Sequence, residues 1–363
     1  MSDEPKFDLS MNRRGFTVGA SALLAALGLG RGVATAGDRK VHFVTWASAD
    51  GTAMVKIAGA AFEKATGATL VADQPPASTA LISKIKAAGD QQWADVVTLL
   101  GSNVLELSRE GLLQTPDAAQ IPNLQFVPEK YRLMYNNGGI GFGSAVYGLT
   151  YSKKVFDSAP KSLATLWNPD YAGRLLLPPP NIIHAMQLVI IAGKLVGVDA
   201  FEDPDKAFAK LAELKGRVLT MSTQPQQVGE LFRNGDIAVG YTSLASLSSV
   251  IKNPDYGIGV SIRELAEGWV TEIIALSIPK GHPNADADTY AFINQILTPE
   301  VAQALQEAAW YVPLISTATT PQALLDQGFP GPADLERAIT YDLTRLAAVR
   351  QDWTKRYSEI FNA

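Results

Sequence analysis

Strand-like segments that alternate with helix-like segments are the feature that most constrains the fold of this chain. Residues 41–46 (VHFVTW) are β-branched and aromatic, and apolar residues at helical spacing follow them as far as Gly67. The alternation repeats with apolar segments at 69–72 and 94–100, and it starts again after Gly148. Such alternation predicts an α/β fold with a mainly parallel sheet and right-handed connections.

The second half of the chain repeats this pattern and predicts a second lobe. We expect its strands near 174–177, 217–221 and 236–241, and its helices near 181–196, 203–214 and 226–233; the first half has predicted helices at 79–88 and 103–111. A late strand at 270–278 precedes a series of C-terminal helices. Sheets of this kind bind ligands at the carboxyl ends of their strands, because loops and helix N-termini gather there.

The first 36 residues resemble an export leader. Arg13 and Arg14 precede Phe16, an apolar segment at 19–30 and the A-x-A pattern at 34–36. The adjacent arginines are typical of a twin-arginine leader, whose route exports folded proteins. The apolar segment is shorter than the ~20 residues of a membrane-spanning helix. We therefore expect cleavage and release into the periplasm.

Composition and motifs disfavour several functions. The chain has 31 basic and 36 acidic residues without a basic cluster, so nucleic acid is not an expected partner. It has no cysteine, which removes disulfides and thiolate metal ligands. Its three histidines include no pair at metal spacing, and in the glycine-rich run 138–148 Ser144 replaces the last glycine of a dinucleotide loop. We expect a binding protein without metal or cofactor, not an enzyme.

Aromatic and neutral polar side chains follow the predicted strand ends. Aromatic rings pack against ligands and attract cations, while hydroxyl and amide groups fix a ligand's orientation. The candidate ligand-binding residues are Trp46, Ser48, Ser102, Asn103, Asn181, Thr223, Gln224, Tyr241, Thr242, Trp269, Glu272 and Tyr311. For each aromatic residue, the alternative to a ligand-binding role is a structural role in the core. For Glu272, the alternative is an exposed strand position or a structural ion pair.

Several segments together carry a resemblance to a known family. They are FEKATGATL at 62–70, ADVV at 94–97, SLATLWNPDYAGRLLL at 162–177, NGDIAVGYTS at 234–243 and ALSIPKGHPNADADTYAFINQILTPEVAQ at 275–303. In these segments the chain resembles the periplasmic solute-binding proteins of ABC importers, and especially their spermidine- and putrescine-binding branch. The resemblance implies a two-lobed periplasmic-binding-protein fold of type II. Its ligand cleft would lie between lobes that are joined by two crossings, near 147–150 and 271–275.

The resemblance also implies a domain division and a function. Lobe 1 would comprise 38–148 plus 272–320 and lobe 2 would comprise 149–271, with C-terminal helices at 321–363 packing across both. The implied function is capture of a small organic solute by a periplasmic monomer, which delivers it to an ABC permease in the inner membrane. The alternatives are an exported enzyme on a similar fold and a solute-sensing partner of a membrane receptor.

Departures from the polyamine-binding pattern predict a different ligand. Trp46, Tyr241 and Tyr311 match aromatic positions of that branch, but Ala49 stands where a second aromatic would be. Where the branch has acidic residues after the RLLL strand, this chain has PPPN at 178–181. Losing the partner of a desolvated ammonium costs about 2–5 kcal/mol, so a diamine or triamine is disfavoured.

We expect instead a solute with one amine end and one carboxylate or polar end. The prolines would form a lip of the second lobe, ahead of a helix whose free N–H groups face the cleft. The amine end is assigned to Trp46, Tyr241, Trp269 and Glu272, and the other end to Asn181, Thr223 and Gln224.

Overall fold

The computed structural model describes residues 39–75 and 78–361, and the predicted leader at 1–36 lies outside them. The strands are β1 (Lys40–Val44), β2 (Thr69–Asp73), β3 (Val96–Leu100), β4 (Leu113–Gln114), β5 (Ile140–Ser152), β6 (Leu175–Leu177), β7 (Val218–Met221), β8 (Val239–Ser243), β9 (Ile258–Ser261), β10 (Val270–Pro279) and β11 (Val312–Pro313).

The α-helices alternate with these strands and continue to the C-terminus. They are α1 (Ala49–Thr66), α2 (Ser78–Ala88), α3 (Gly101–Arg109), α4 (Glu129–Arg132), α5 (Ile183–Leu195), α6 (Pro204–Ala212), α7 (Pro225–Asn234), α8 (Ser248–Ile251), α9 (Asp286–Ile296), α10 (Pro299–Ala309), α11 (Gln322–Asp326) and α12 (Leu343–Phe361). Among the described residues, none of the helices is both long enough and apolar enough to cross a membrane.

The strands pair in the order β2-β1-β3-β10-β5-β8-β6-β7. In the first part of this sheet β1 pairs in parallel with β2 and β3, and β10 runs antiparallel to β3. In the second part β6 pairs in parallel with β7 and β8. The α/β fold class is therefore confirmed, but the expectation of mainly parallel strands is wrong for the sheet as a whole. Among the described strands four pairs are parallel, and six pairs, each involving β5 or β10, are antiparallel.

The long strand β5 joins the two parts of the sheet. Its first half pairs with β10, from Ile140 opposite Leu276 to Tyr147 opposite Val270. Its second half pairs antiparallel with β8 and β9. Because one strand takes part in both halves of the pairing, the two parts are connected by ordinary strand structure without a flexible linker.

Helix α1 illustrates how local sequence sets the elements that border the cleft. Ser48 is its N-cap, in extended conformation, and the Ser48 hydroxyl accepts a hydrogen bond from the Gly51 N–H at 3.4 Å. Gly67 ends the helix at φ 69°, a left-handed conformation that glycine adopts without a Cβ penalty. These caps fix where β1 gives way to the helix, and so fix the loop that carries Trp46.

The C-terminal helix α12 packs against α3, which follows a strand of the first part, and against α5 and α6 of the second part. Trp353 of α12 is buried, with its ring stacked on Phe201 at 5.1 Å and edge-on to Phe208 at 5.9 Å. The Tyr357 hydroxyl donates to the carbonyl oxygen of Pro178 at 2.9 Å. Helix α12 therefore contacts the segment between β6 and α5 and stabilises it through this hydrogen bond.

Candidate functional site

A cleft lies at the carboxyl ends of the parallel strands from both parts of the sheet. It contains an outer cavity of about 720 Å³ and, beneath it, an inner cavity of about 190 Å³. The walls come from the loops after β1, β3, β6 and β8, and Thr223 after β7 adds to the outer cavity. Strands β5 and β10 contribute Ala145, Tyr147 and Ile274 to the inner cavity. This is the position at which α/β sheets bind ligands.

The inner cavity contains a carboxylate that is held by two aromatic side chains. Asp50 is 7% exposed, and its Oδ2 accepts a hydrogen bond from Trp46 Nε1 at 2.8 Å and a second from the Tyr311 hydroxyl. Burial, followed by the charge of Asp50, raises the pKa of Tyr311 well above its usual value, so Tyr311 stays protonated and able to donate. Both donors bind Oδ2, and Oδ1 accepts no hydrogen bond from the residues described.

His184 lies at the boundary between the two cavities and lines both of them. Burial lowers its pKa to about 3, so its imidazole is neutral at physiological pH. Its ring packs against that of Tyr147, with 4.6 Å between centroids. Nδ1 is buried without a hydrogen-bond partner in the described chain. A neutral imidazole here can donate or accept one hydrogen bond but does not repel a cation.

Positive potential comes from the outer end of the cleft. Arg350 of α12 lines the outer cavity, is exposed, and forms no ion pair with a described residue. Helices α3 and α5 begin at the same cavity. No side chain bonds the first N–H groups of α5, whereas the Glu272 carboxylate already occupies the N-terminus of α3 through Ser102. Helix N-termini carry a partial positive charge, so this end favours an anion. Lys86 also lines it but is engaged by Glu106 and Glu110 at 2.7 and 2.6 Å.

Seven of the twelve candidate residues line the cleft. They are Trp46, Ser48, Ser102, Asn103, Asn181, Thr223 and Tyr311. They come from the loops after β1, β6 and β7, from the first turn of α3 and from the segment after α10, and the structure brings them around the two cavities. The three prolines before Asn181 do not line either cavity, and α5 starts two residues later than the predicted position 181.

Four further candidates lie away from the cavity walls. Tyr241 is fully buried within the second part, where its hydroxyl donates to Gln187 Oε1 at 3.0 Å. Thr242 and Trp269 are also buried, and neither lines the cleft. Gln224 is the exposed N-cap position of α7 and points away from both linings. Tyr241 and Thr242 point to opposite faces of β8, and both are buried because β8 is covered on both faces. Trp269 directly precedes β10 and is also buried.

Glu272 is a carboxylate placed behind the cleft wall. It is 3% exposed, and its Oε1 accepts a hydrogen bond from the Ser102 hydroxyl at 3.1 Å. Its Oε2 is buried and has no partner among the described residues. Burial raises the pKa of Glu272 to about 7, and the hydrogen bonds from Ser102 only partly oppose that rise. Glu272 therefore supports the N-terminus of α3, while Asp50 is the carboxylate at the cavity surface.

The candidate set did not include Asp50, His184, Ser246 and Arg350, all of which line the cleft. Asp50 follows the end of β1 and Ser246 follows the end of β8, so the strand-end pattern could have identified both residues. His184 follows the proline segment by four residues. Arg350 comes from α12, and its place in the cleft depends on how that helix docks.

Two sets of parallel strands present their carboxyl ends to one cleft, and the long strand β5 connects the two sets. This arrangement defines a two-lobed binding protein. The protein belongs to the bacterial extracellular solute-binding protein family, whose sequence pattern matches residues 58–327. That family has a periplasmic or extracellular location. No curated protein sequence matches this chain significantly.

Solved structures support the fold. An ABC transporter protein from Clostridium perfringens aligns with TM-score 0.74 and 21% identity over 89% of this chain and 100% of its own. The spermidine/putrescine ABC transporter substrate-binding protein PotD from Streptococcus pneumoniae aligns with TM-score 0.71 and 19% identity, covering 89% and 99%. A GABA receptor aligns with TM-score 0.71 and 18% identity, covering 89% and 97%. The two-lobed periplasmic-binding-protein fold is thus confirmed.

Proposed function

We propose that this protein is the periplasmic substrate-binding component of an ABC transporter, and that it captures a small amine-bearing or zwitterionic solute for an inner-membrane permease. The observation that carries the ligand class is Asp50, a carboxylate inside the inner cavity with one oxygen held by Trp46 and Tyr311. An ammonium group would meet the other oxygen and the aromatic rings, which attract cations through their faces.

The opposite end of the cleft suits a carboxylate or another polar acceptor. Arg350 and the N-terminus of α5 supply positive potential there, and the side-chain amides of Asn103 and Asn181 supply hydrogen-bond donors. A solute with charges of opposite sign at its two ends satisfies both environments. A polyamine would place a second ammonium against this positive end. The GABA receptor among the structural neighbours is consistent with a zwitterion.

The transport role rests on the family and on the sequence. We propose that the twin-arginine-like leader at 1–36 directs export, and that the mature chain acts as a monomer. We also propose that lobe 1 comprises 38–148 plus 272–320 and lobe 2 comprises 149–271. The change in pairing of β5 at Tyr147, from β10 to β8, supports a boundary at this position.

Thermal shift with the mature chain, residues 37–363, tests the ligand class. The probes are 4-aminobutanoate, other ω-amino acids, putrescine and spermidine. A probe at about 100 times its Kd adds about 2.7 kcal/mol of stability, which raises the Tm of a protein of this size by a few degrees. We expect a rise with one or more ω-amino acids and none with spermidine.

The variant Asp50→Asn should remove that rise, because losing the partner of a desolvated ammonium costs about 2–5 kcal/mol, or at least about 30-fold in Kd. Asp352→Asn is the matched control, since Asp352 is an exposed carboxylate of α12 that lines neither cavity. Tight spermidine binding, or equal affinities in Asp50→Asn and the parent protein, would refute the proposed ligand class.

A further inference from the structure

A third cavity adjoins the outer cavity and has a different chemical character. It has a volume of about 350 Å³ and lies between α3, α12 and the start of α5. Its apolar wall consists of Leu105, Ile183, Leu343, Leu346 and Ala347. We name this cavity the apolar annex. Its size falls within the range of small-molecule pockets, which are mostly apolar with a few polar groups.

The annex and the outer cavity of the cleft are neighbours. Ser102, Asn103, Glu106, Ile183 and Arg350 line both. A ligand group bound at the Arg350 end of the cleft therefore has the annex directly beside it. An apolar substituent on that group can enter the annex and so be removed from water, while the rest of the ligand stays bound in the cleft.

The charges around the annex are arranged so that an anion is favoured at its mouth. Glu106 and Glu110 both accept from Lys86, at 2.7 and 2.6 Å, which neutralises part of their charge. Arg109 donates to Thr344 Oγ1 at 3.0 Å and links α3 to α12. Arg350 forms no ion pair with a described residue, although its charge acts on Glu272 and lowers the pKa of that carboxyl. A carboxylate at the mouth would meet Arg350, and the chain attached to it would meet the apolar wall.

We propose that the natural solute carries an apolar group of several carbons next to its carboxylate end, and that this group occupies the apolar annex. The inference rests on the proposed function, because it takes the Arg350 end of the cleft as the carboxylate end. It narrows the substrate class from small zwitterions to amphiphilic ones. The occupant is part of the solute already bound in the cleft, since the two cavities share five lining residues.

Straight-chain alkanoates test the annex without using the amine end. Butanoate, hexanoate and octanoate are titrated into the mature chain, and Kd is measured by NMR chemical-shift changes. Each methylene that is removed from water should tighten binding about fourfold, equivalent to about 0.8 kcal/mol, until the annex is full. From butanoate to hexanoate we therefore expect a gain of roughly 15-fold.

Two adjacent alanines of α12 give a matched pair of variants. Ala347 lines the annex and is exposed enough to accept a larger side chain, while Ala348 is exposed and lines none of the three cavities discussed. Ala347→Trp should fill the annex and remove the dependence on chain length. Ala348→Trp should keep it. Equal Tm values of the two variants without ligand would exclude a general folding defect.

The outcomes separate the two proposals. Chain-length dependence that Ala347→Trp abolishes supports the annex even if no ω-amino acid binds, in which case the amine-binding role of Asp50 fails. Affinities that are independent of chain length, or equally affected in the two alanine variants, overturn the annex proposal. If 4-aminobutanoate then still binds in an Asp50-dependent way, the proposed function stands without the annex.

Discussion

Replacing Asp95 by asparagine should lower the free energy of unfolding by about 3–5 kcal/mol. Asp95 is fully buried between β1 and the turn after β10, and its carboxylate accepts four hydrogen bonds. Oδ2 accepts from the His42 N–H and Asn284 Nδ2, both at 2.7 Å. Oδ1 accepts from the Asn284 N–H at 2.8 Å and from His282 Nδ1 at 3.1 Å.

The magnitude follows from the chemistry of the amide. An asparagine side chain keeps one acceptor oxygen but replaces the other with an NH₂ group, which would face two donors. Two hydrogen bonds to a charged acceptor are lost, each worth about 1.5–3 kcal/mol, and the remaining donors are left buried. The total is a large part of the roughly 5–15 kcal/mol by which proteins are stable.

Denaturant unfolding followed by tryptophan fluorescence measures this effect. The matched control is Asp90→Asn, because the Asp90 side chain is 80% exposed, lies near the same turn, and is 3.9 Å from Lys280. We expect the control to change stability by less than about 0.5 kcal/mol. If Asp95→Asn and Asp90→Asn had the same midpoint and slope, the reasoning about the buried network would be refuted.

The pH dependence gives an independent test of the same network. Burial alone would raise the pKa of Asp95, but hydrogen bonds from His282, His42 and Asn284 outweigh it and hold the pKa below its usual value. The stabilisation is therefore present above pH ~3.9 and is lost as the pH falls through the lower folded pKa. The hydrogen bond to Asp95 is the main cause of a raised pKa at His282, so NMR titration should show that pKa falling in Asp95→Asn.

Two further substitutions test other parts of the structure. Burial raises the pKa of Glu272 to about 7, so ionisation of this carboxyl should lower the free energy of unfolding by ~3 kcal/mol as the pH rises from 4.5 to 7. Glu272→Gln should flatten this pH dependence in unfolding measured between pH 5 and 8. An unchanged slope would mean that another group is responsible. Trp353→Ala should cost about 3–5 kcal/mol, because the ring is 1% exposed and packs against Phe201 and Phe208; calorimetry that gave less than about 1 kcal/mol would contradict that packing.

The elements of the fold could be predicted largely from local patterns. The segment 94–100 was predicted as a strand and forms β3 (Val96–Leu100), and the segment 226–233 was predicted as a helix and forms α7 (Pro225–Asn234). The observed start of a helix differs from the predicted one where the capping residue determines it. Helix α5 begins at Ile183 and not at 181, with Ile182 as its N-cap residue in extended conformation.

The site was harder to predict, because strand-end position does not determine which way a side chain points. Trp46 and Tyr241 both match aromatic positions of the polyamine-binding branch, yet Trp46 lines the cleft and Tyr241 is fully buried beside Gln187. Tertiary docking determines other members of the site. Arg350 reaches the cleft only because α12 packs between α3 and α5, and no local pattern in 343–361 reports that contact.

The carboxylates of Asp50 and Glu272 have separate roles because their surroundings differ. Glu272 has one oxygen without a described partner and a pKa raised to about 7, so a ligand cation could not rely on its charge. Asp50 has one oxygen held by two aromatic donors that come from opposite ends of the chain, while the carboxylate borders the inner cavity. Because those donors already hold the Asp50 side chain in place, binding of a ligand costs that side chain little further conformational entropy. A cation entering the cleft should therefore bind Asp50, and Glu272 should act through Ser102 on the N-terminus of α3.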